Sequence, residues 1–192
     1  LKDRIEDNDI HLIKQIKEGD TTSFRHLVEK YKDVSLTLAI SILKDQSIAE
    51  DVLQDVFIKV YQKIGTFKFK SNFSTWLYRI VVNTSYNAFK KQRSHISIDK
   101  INSHEIEANQ KTGVEKLKEK DQKKYITLAL ERLTPDEALL IRLFYLCDLK
   151  ITEIKDVTGF SVSKIKVGLH RGRNNMNFIL RKILEKDIDS LL

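Results

Sequence analysis

Over a stretch of ten residues, Phe67, Phe69, Phe73 and Trp76 alternate with Lys68, Lys70 and Asn72. Aromatic walls beside ammonium and amide donors are the chemistry that holds a nucleic-acid base once it has left its stack. The same residues also fit a solvated loop, and Trp76 reads equally well as core. Nothing comparable points to catalysis. His11, His26, His95, His104 and His170 are dispersed, with no metal-ligating spacing. Cys147 stands among Leu143, Phe144 and Leu146, which suits a buried small side chain. No glycine-rich loop could cradle a nucleotide phosphate. Asp51 and Asp55 lie one helical turn apart, and a helix start with an ion pair from Asp55 to Lys59 accounts for them. The expectation is a non-enzyme that needs no cofactor and no metal.

The charge distribution favours a polyanionic partner. The chain of 192 residues nets +7, and the surplus falls in two places. Residues 1–93 carry 16 Lys+Arg against 12 Asp+Glu, and residues 120–192 carry 14 against 10. From Val56 through Ile98 no acid occurs, nor from Val157 through Leu184. A solvated face usually mixes signs, so two acid-free basic regions suggest two surfaces that face nucleic acid. The first region holds 9 of the 16 aromatic residues and suits unpaired bases.

The second region falls on a helix whose apolar stripe, Ile165, Leu169, Met176, Leu180 and Ile183, leaves Ser163, Lys164, Lys166, Val167, His170, Arg171, Arg173, Asn174 and Asn177 facing out. Its first turns present donors and cations where a recognition helix meets base edges, with Arg171 and Arg173 placed for flanking phosphates. In the first region, Arg79, Asn83, Tyr86 and Lys90 share one outward strip. A third face is apolar where it should be polar: Ile58 stands among Asp51, Gln54, Asp55 and Gln62, the composition of a protein-docking surface.

The elements that must position these residues are helical, since 6 Gly and 1 Pro leave little turn punctuation. Asp9 reads as the cap of a short helix ending at Gly19, and a second helix follows Asp20 to about Lys44. Ser47 and Glu50 read as a capping box for a third helix that Gly65 closes. The loop from Thr66 to Asn72 leads to a fourth helix that carries Phe73, Trp76, Leu77, Ile80, Val81 and Thr84 inward. Residues 94–119 show no sustained period and read as a polar linker. Helix resumes near Lys120. Thr134, Pro135 and Glu137 then mark a helix start, and a short helix from Ile151, the turn Gly159-Phe160-Ser161 and a long basic helix form a helix-turn-helix. The fold class is therefore all-α, with two small helical domains, 1–93 and 120–192, joined by the linker. One cysteine permits no internal disulfide, no stretch reaches the about 18 apolar residues of a membrane span, and the N-terminal stretch lacks the apolar run of a signal peptide. A cytoplasmic protein is the expectation.

At these residues the chain resembles the extracytoplasmic-function (group 4) sigma factors of bacterial RNA polymerase, within the sigma-70 family. Ala49-Glu50-Asp51-Val52-Leu53-Gln54-Asp55-Val56-Phe57 looks like the family's region 2.2. Phe73-Ser74-Thr75-Trp76-Leu77-Tyr78-Arg79-Ile80, with Asn83, looks like its regions 2.3 to 2.4. Leu133-Thr134-Pro135 and Ile165-Lys166-Val167-Gly168-Leu169-His170-Arg171-Gly172-Arg173 look like its region 4.

The resemblance implies a transcription initiation factor that binds core RNA polymerase, directs it to promoters and helps melt the minus-10 region. Asp51, Gln54, Asp55, Ile58 and Gln62 would dock the beta-prime coiled coil. Lys68, Lys70, Asn72, Phe73, Thr75, Trp76, Arg79, Asn83, Tyr86 and Lys90 would serve the minus-10 element. Ser163, Lys164, Lys166, Val167, His170, Arg171 and Arg173 would read the minus-35 duplex while that domain touches the beta flap. An anti-sigma partner is a further expectation of the family. Gly168 stands where the family often has Arg, which implies one DNA contact fewer. The rival reading is a stand-alone helix-turn-helix regulator, which would bind its duplex without polymerase.

Overall fold

The computed structural model describes residues 2–96 and 117–189, with side chains over 8–92 and 122–184. Its helices are α1 (Lys2–Lys17), α2 (Thr21–Leu43), α3 (Gln46–Lys63), α4 (Phe73–Ile96), α5 (Leu117–Arg132), α6 (Pro135–Ile141), α7 (Ile151–Thr158) and α8 (Val162–Asp189). A 3₁₀ turn, Ile64–Thr66, follows α3, and a π-helical turn, Arg142–Leu146, continues α6. Most of the linker read from the sequence, residues 97–116, lies outside the described residues.

Helix α2 is the centre of the first group. It packs on α1, α3 and α4, and its Leu27, Leu38 and Ile42 meet Val56 and Val60 of α3 and Leu77 and Val81 of α4, all fully buried. In the second group α8 lies across α5, α6 and α7, with Leu139, Leu143, Ile154, Ile165 and Leu169 inside. Close approach of α6 to α8 requires small residues: a Cβ on Gly168 would stand 2.4 Å from Leu140 Cδ1, and one on Gly172 3.1 Å from Ile141 Cγ1. The groups also pack on each other, α4 against α7 and α2 against α6, so one apolar cluster runs through both.

Local signals explain most boundaries. Asp20 caps α2 by accepting from the Thr22 and Ser23 amides at 2.8 and 3.3 Å. Thr134 and Glu137 form a reciprocal capping box on α6, with Pro135 in its first turn. Gly159 ends α7 in the left-handed region at φ 72°, and Ser161 Oγ then accepts from the Lys164 amide at 3.2 Å to start α8.

Three expected caps are wrong. Asp9 is no cap: α1 begins at Lys2, and Asp9 is buried, where its carboxylate accepts from Lys30 Nζ and Tyr31 Oη. Helix α3 is capped by Asp45, whose carboxylate accepts from the Ile48 amide at 2.9 Å. Glu50 accepts instead from Gln46 Nε2 at 2.9 Å, so Ser47 and Glu50 make no capping box. Gly65 lies within the 3₁₀ turn and does not close the helix as a left-handed residue.

Candidate nucleic-acid and polymerase interface

The loop between α3 and α4 is built on aromatic edges. Phe67 is its buried anchor, with ring centroids 5.0 Å from Phe69, 5.9 Å from Phe73 and 5.2 Å from Trp76. Lys17 of α1 holds the loop from outside. Its Nζ donates to the Phe67 carbonyl at 2.7 Å and sits 4.8 Å from the Phe69 ring centroid. Phe69 adopts φ 55°, a left-handed conformation that costs a bulky residue about 1 kcal/mol or more. The loop thereby turns out Lys68 and Lys70, which are exposed, and leaves Phe69 partly exposed between them.

Along α4, Arg79, Asn83 and Lys90 are exposed and Tyr86 is half-buried on the same strip. Two of the residues that the resemblance assigns to the minus-10 element are buried. Phe73 and Thr75 are 4% and 5% exposed, because the first turn of α4 drives them into the core, Phe73 against Tyr31 at 5.5 Å. They support the loop from below. Thr75 Oγ1 is buried with no hydrogen-bond partner. Trp76 is half-buried against Phe67 and Phe73, which combines the two readings open in the sequence: one side of the ring is packed and part of it remains accessible. Asn72 is half-buried at the mouth of a cavity of about 380 Å³ that also takes in Asp9, Tyr31, Phe73 and Cys147. Burial pushes the Cys147 thiol up to about 12, which suits a packing role and not a nucleophile.

On α8 the expected residues Ser163, Lys164, Lys166, Val167, His170, Arg171 and Arg173 are all exposed, while Ile165, Leu169 and Gly172 face inward. Ser163, Val167, His170 and Asn174 form the middle of the outward arc. Asn174 Nδ2 lies 3.2 Å from His170 Nε2. Arg173 lies at one margin, where its Nε donates to the Leu169 carbonyl at 3.1 Å and its side chain borders an apolar groove with Met176, Leu180, Ile126 and Leu130. Gly168 lies outside the middle of the outward arc, where a Cβ would stand 2.4 Å from Leu140 Cδ1.

The third face lies on α3. Asp51, Gln54, Asp55, Ile58 and Gln62 are all exposed, Ile58 to 56%. A shallow groove of about 280 Å³ joins Gln54, Ile58 and Gln62 to Phe24, Phe57 and Tyr61. Tyr61 is 51% exposed at the border of the apolar stripe of α3 and leans edge-on against Phe24 at 4.9 Å. Lys59 Nζ reaches Thr84 Oγ1 at 3.4 Å and makes no ion pair with Asp55.

Among the described residues no group of His, Cys, Asp and Glu could hold a metal ion, and no helix is long and apolar enough to cross a membrane. The chain presents two basic surfaces of different shape and one exposed, partly apolar face on α3.

A family model described as Sigma-70 region 2 matches residues 27–95, and one described as Sigma-70, region 4 matches residues 123–176. The chain is 28% identical to the ECF RNA polymerase sigma factor SigW of Bacillus subtilis (strain 168), across 89% of this chain and 96% of that one. It is 25% identical to the ECF RNA polymerase sigma-E factor of Escherichia coli (strain K12), across 91% and 95%. Its fold is similar to that of the sigma factor RpoE in a co-crystal structure with the anti-sigma factor NepR from Bartonella quintana, at a TM-score of 0.66 and 22% identity over 84% of this chain and 98% of that one.

Proposed function

From the premise that this chain belongs to the sigma-70 family, as an extracytoplasmic-function sigma factor with region 2 and region 4 in order, we propose a division of labour among its three faces. The protein directs core RNA polymerase to promoters. The α3 face, with Ile58 at its centre, docks the beta-prime coiled coil of the polymerase. The 67–72 loop and the α4 strip take the minus-10 element, where the Phe69 and Trp76 rings, backed by buried Phe67, receive an extruded base and Lys68, Lys70, Arg79 and Lys90 neutralise backbone phosphates. The first turns of α8 read the minus-35 duplex in the major groove. The groove between α5 and α8 offers an apolar seat for the beta flap.

The observation that carries this reading is the pairing of a cation-and-aromatic loop with a separate helix-turn-helix. A regulator of duplex DNA needs only the second. No step requires bond chemistry by the protein, so it acts as a non-enzymatic factor beside polymerase in the cytoplasm. Because an anti-sigma factor is named with the RpoE structure, an anti-sigma partner is proposed for this chain as well.

Run-off transcription tests the reading. Core polymerase with this protein should give specific transcripts from a subset of genomic fragments, and neither component should do so alone. Tight, sequence-specific duplex binding without polymerase, and no stimulation of core on any fragment, would return the protein to the stand-alone regulators.

A further inference from the structure

Asp136, the second residue of α6, touches both DNA-suited faces at once. Its Oδ1 accepts from Tyr86 Oη at 2.6 Å, and its Oδ2 pairs with Lys164 Nζ at 2.8 Å. Tyr86 belongs to the α4 strip, and Lys164 to the first turn of the helix-turn-helix recognition helix. Phe160, from the turn before α8, completes the contact, with its ring centroid 6.4 Å from that of Tyr86 and 3.4 Å from Lys164 Nζ. Asn83 and Lys90 of the same strip line an open cavity of about 340 Å³ together with Asp136, Phe160 and Lys164.

We propose that Asp136 is an autoinhibitory clasp: its carboxylate stands in for DNA phosphate, holding the minus-10 strip against the recognition helix, and must be displaced before either face engages a promoter. The inference rests on the assignment of those faces to DNA. An anion bound by a tyrosine hydroxyl and a lysine ammonium is what a backbone phosphate offers to the same groups. The carboxylate is also favourable where it stands, in the first turn of α6, so the closed state needs no other device to keep the acid in place. Half of the Lys164 side chain remains exposed, which keeps the ion pair weak and displaceable by a polyanion.

The test compares full-length Asp136→Asn with the wild type and with Asp156→Asn, which removes the same charge from α7 at an exposed position outside the contact. Free protein is titrated with a fluorescent mixed-sequence 30-base-pair duplex over a salt series, and small-angle scattering gives the radius of gyration. Asp136→Asn should expand the chain and raise duplex affinity roughly three- to tenfold. Its log affinity should also depend more steeply on log salt by about one unit, as Lys164 is released to a phosphate. Asp156→Asn should do none of these beyond a small uniform rise. Tyr86→Phe, which leaves net charge unchanged and lies in the other helical group, should reproduce the expansion. Equal effects of Asp136→Asn and Asp156→Asn, or no expansion in either Asp136→Asn or Tyr86→Phe, would overturn the clasp. Both readouts are independent of polymerase, so failure of run-off transcription would sink the function without touching this result.

Discussion

Arg142 Nη1 donates to the Ser41 hydroxyl at 2.6 Å, although the two residues lie 101 positions apart. Ser41 in turn donates to the Thr37 carbonyl at 2.9 Å, so the hydroxyl ties the guanidinium of one helical group to the backbone of the other. Arg142 is buried, and removal of its acceptor leaves a desolvated cation short of a partner. Ser41→Ala should weaken the packing of α2 on α6 by about 1–3 kcal/mol, seen as an earlier, broadened thermal transition. Arg142→Met in the Ser41→Ala background should recover most of the loss, since it removes the stranded charge while keeping apolar volume. A strictly additive double variant would contradict this account.

Gly168 packs on Leu140, and Leu140 is 1% exposed. Gly168→Ala gains about 1 kcal/mol of helix propensity but must displace a buried leucine, at about 1–3 kcal/mol. The balance is near neutral to mildly destabilising. Gly168→Arg, the residue frequent in the resembled family, cannot fit between α6 and α8 and should lower the melting temperature by several degrees with no gain in duplex affinity. A gain in affinity at unchanged stability would restore the position to the DNA contacts.

These two contacts mark where sequence reading stops. Capping by Asp20 and Thr134, the turn at Gly159 and the outward arc of α8 were legible because each depends on neighbours within four or five positions. Asp9 was misread because its carboxylate answers to Lys30 and Tyr31, more than twenty positions away, and not to its own helix start. Tyr61 sits at the border of its apolar stripe, where spacing does not say which side of the border wins. Contacts such as Tyr86 with Asp136 join two separately periodic helices, and no period within either one predicts them.

Packing between the two helical groups should tighten as pH rises from about 8 to 9 and loosen above about 10. Burial, with the Arg142 charge adding to it, lowers Lys44 to about 8, while its Nζ donates to the Glu131 carbonyl at 3.0 Å. When the groups separate, Lys44 returns toward 10.5, so the open form binds more protons between pH 8 and 10.5 and the packed form gains as pH rises through that window. Cys147 opposes this. Its thiol, raised from 9.0 to about 12 by burial, stays protonated in the packed form while the open form ionises, so packing loses stability above about pH 9. Tyr86, also raised by burial and by its bond to Asp136, adds to the loss above pH 10. The radius of gyration should therefore reach its minimum between about pH 9 and 10. Lys44→Met should abolish the approach to that minimum from pH 8, and an unchanged profile in this variant would exclude Lys44 as the cause.

The α3 face separates docking from folding. Ile58 is 56% exposed, and Asp55 is exposed beside it, so Ile58→Glu with Asp55→Lys should cost less than about 0.5 kcal/mol of stability. The pair nevertheless reverses the polarity at the centre of the proposed polymerase contact, where a buried charge without a partner is not tolerated. Affinity for core polymerase should fall by at least about a hundredfold, while binding to free duplex stays within a factor of two of the wild type. Undiminished association with core would assign docking to another face.

Arg171 and Val167 should fail in different ways when changed. Val167 is 48% exposed in the middle of the outward arc of α8, which the proposed function sets against base edges, and Arg171 lies toward the margin, which it sets against the strand backbone. Loss of one phosphate contact removes a counterion-release term common to every sequence. Arg171→Ala should thus weaken all duplexes alike and reduce the salt slope by about 0.9. Val167→Ala should leave the slope intact and relax preference at one base position, because the lost apolar contact is to a base and not to the backbone. Competition between single-base variants of the minus-35 duplex, repeated at two salt concentrations with holoenzyme, separates the two signatures. A base-specific defect for Arg171→Ala would place its guanidinium in the groove and turn the arc of α8 by about one residue.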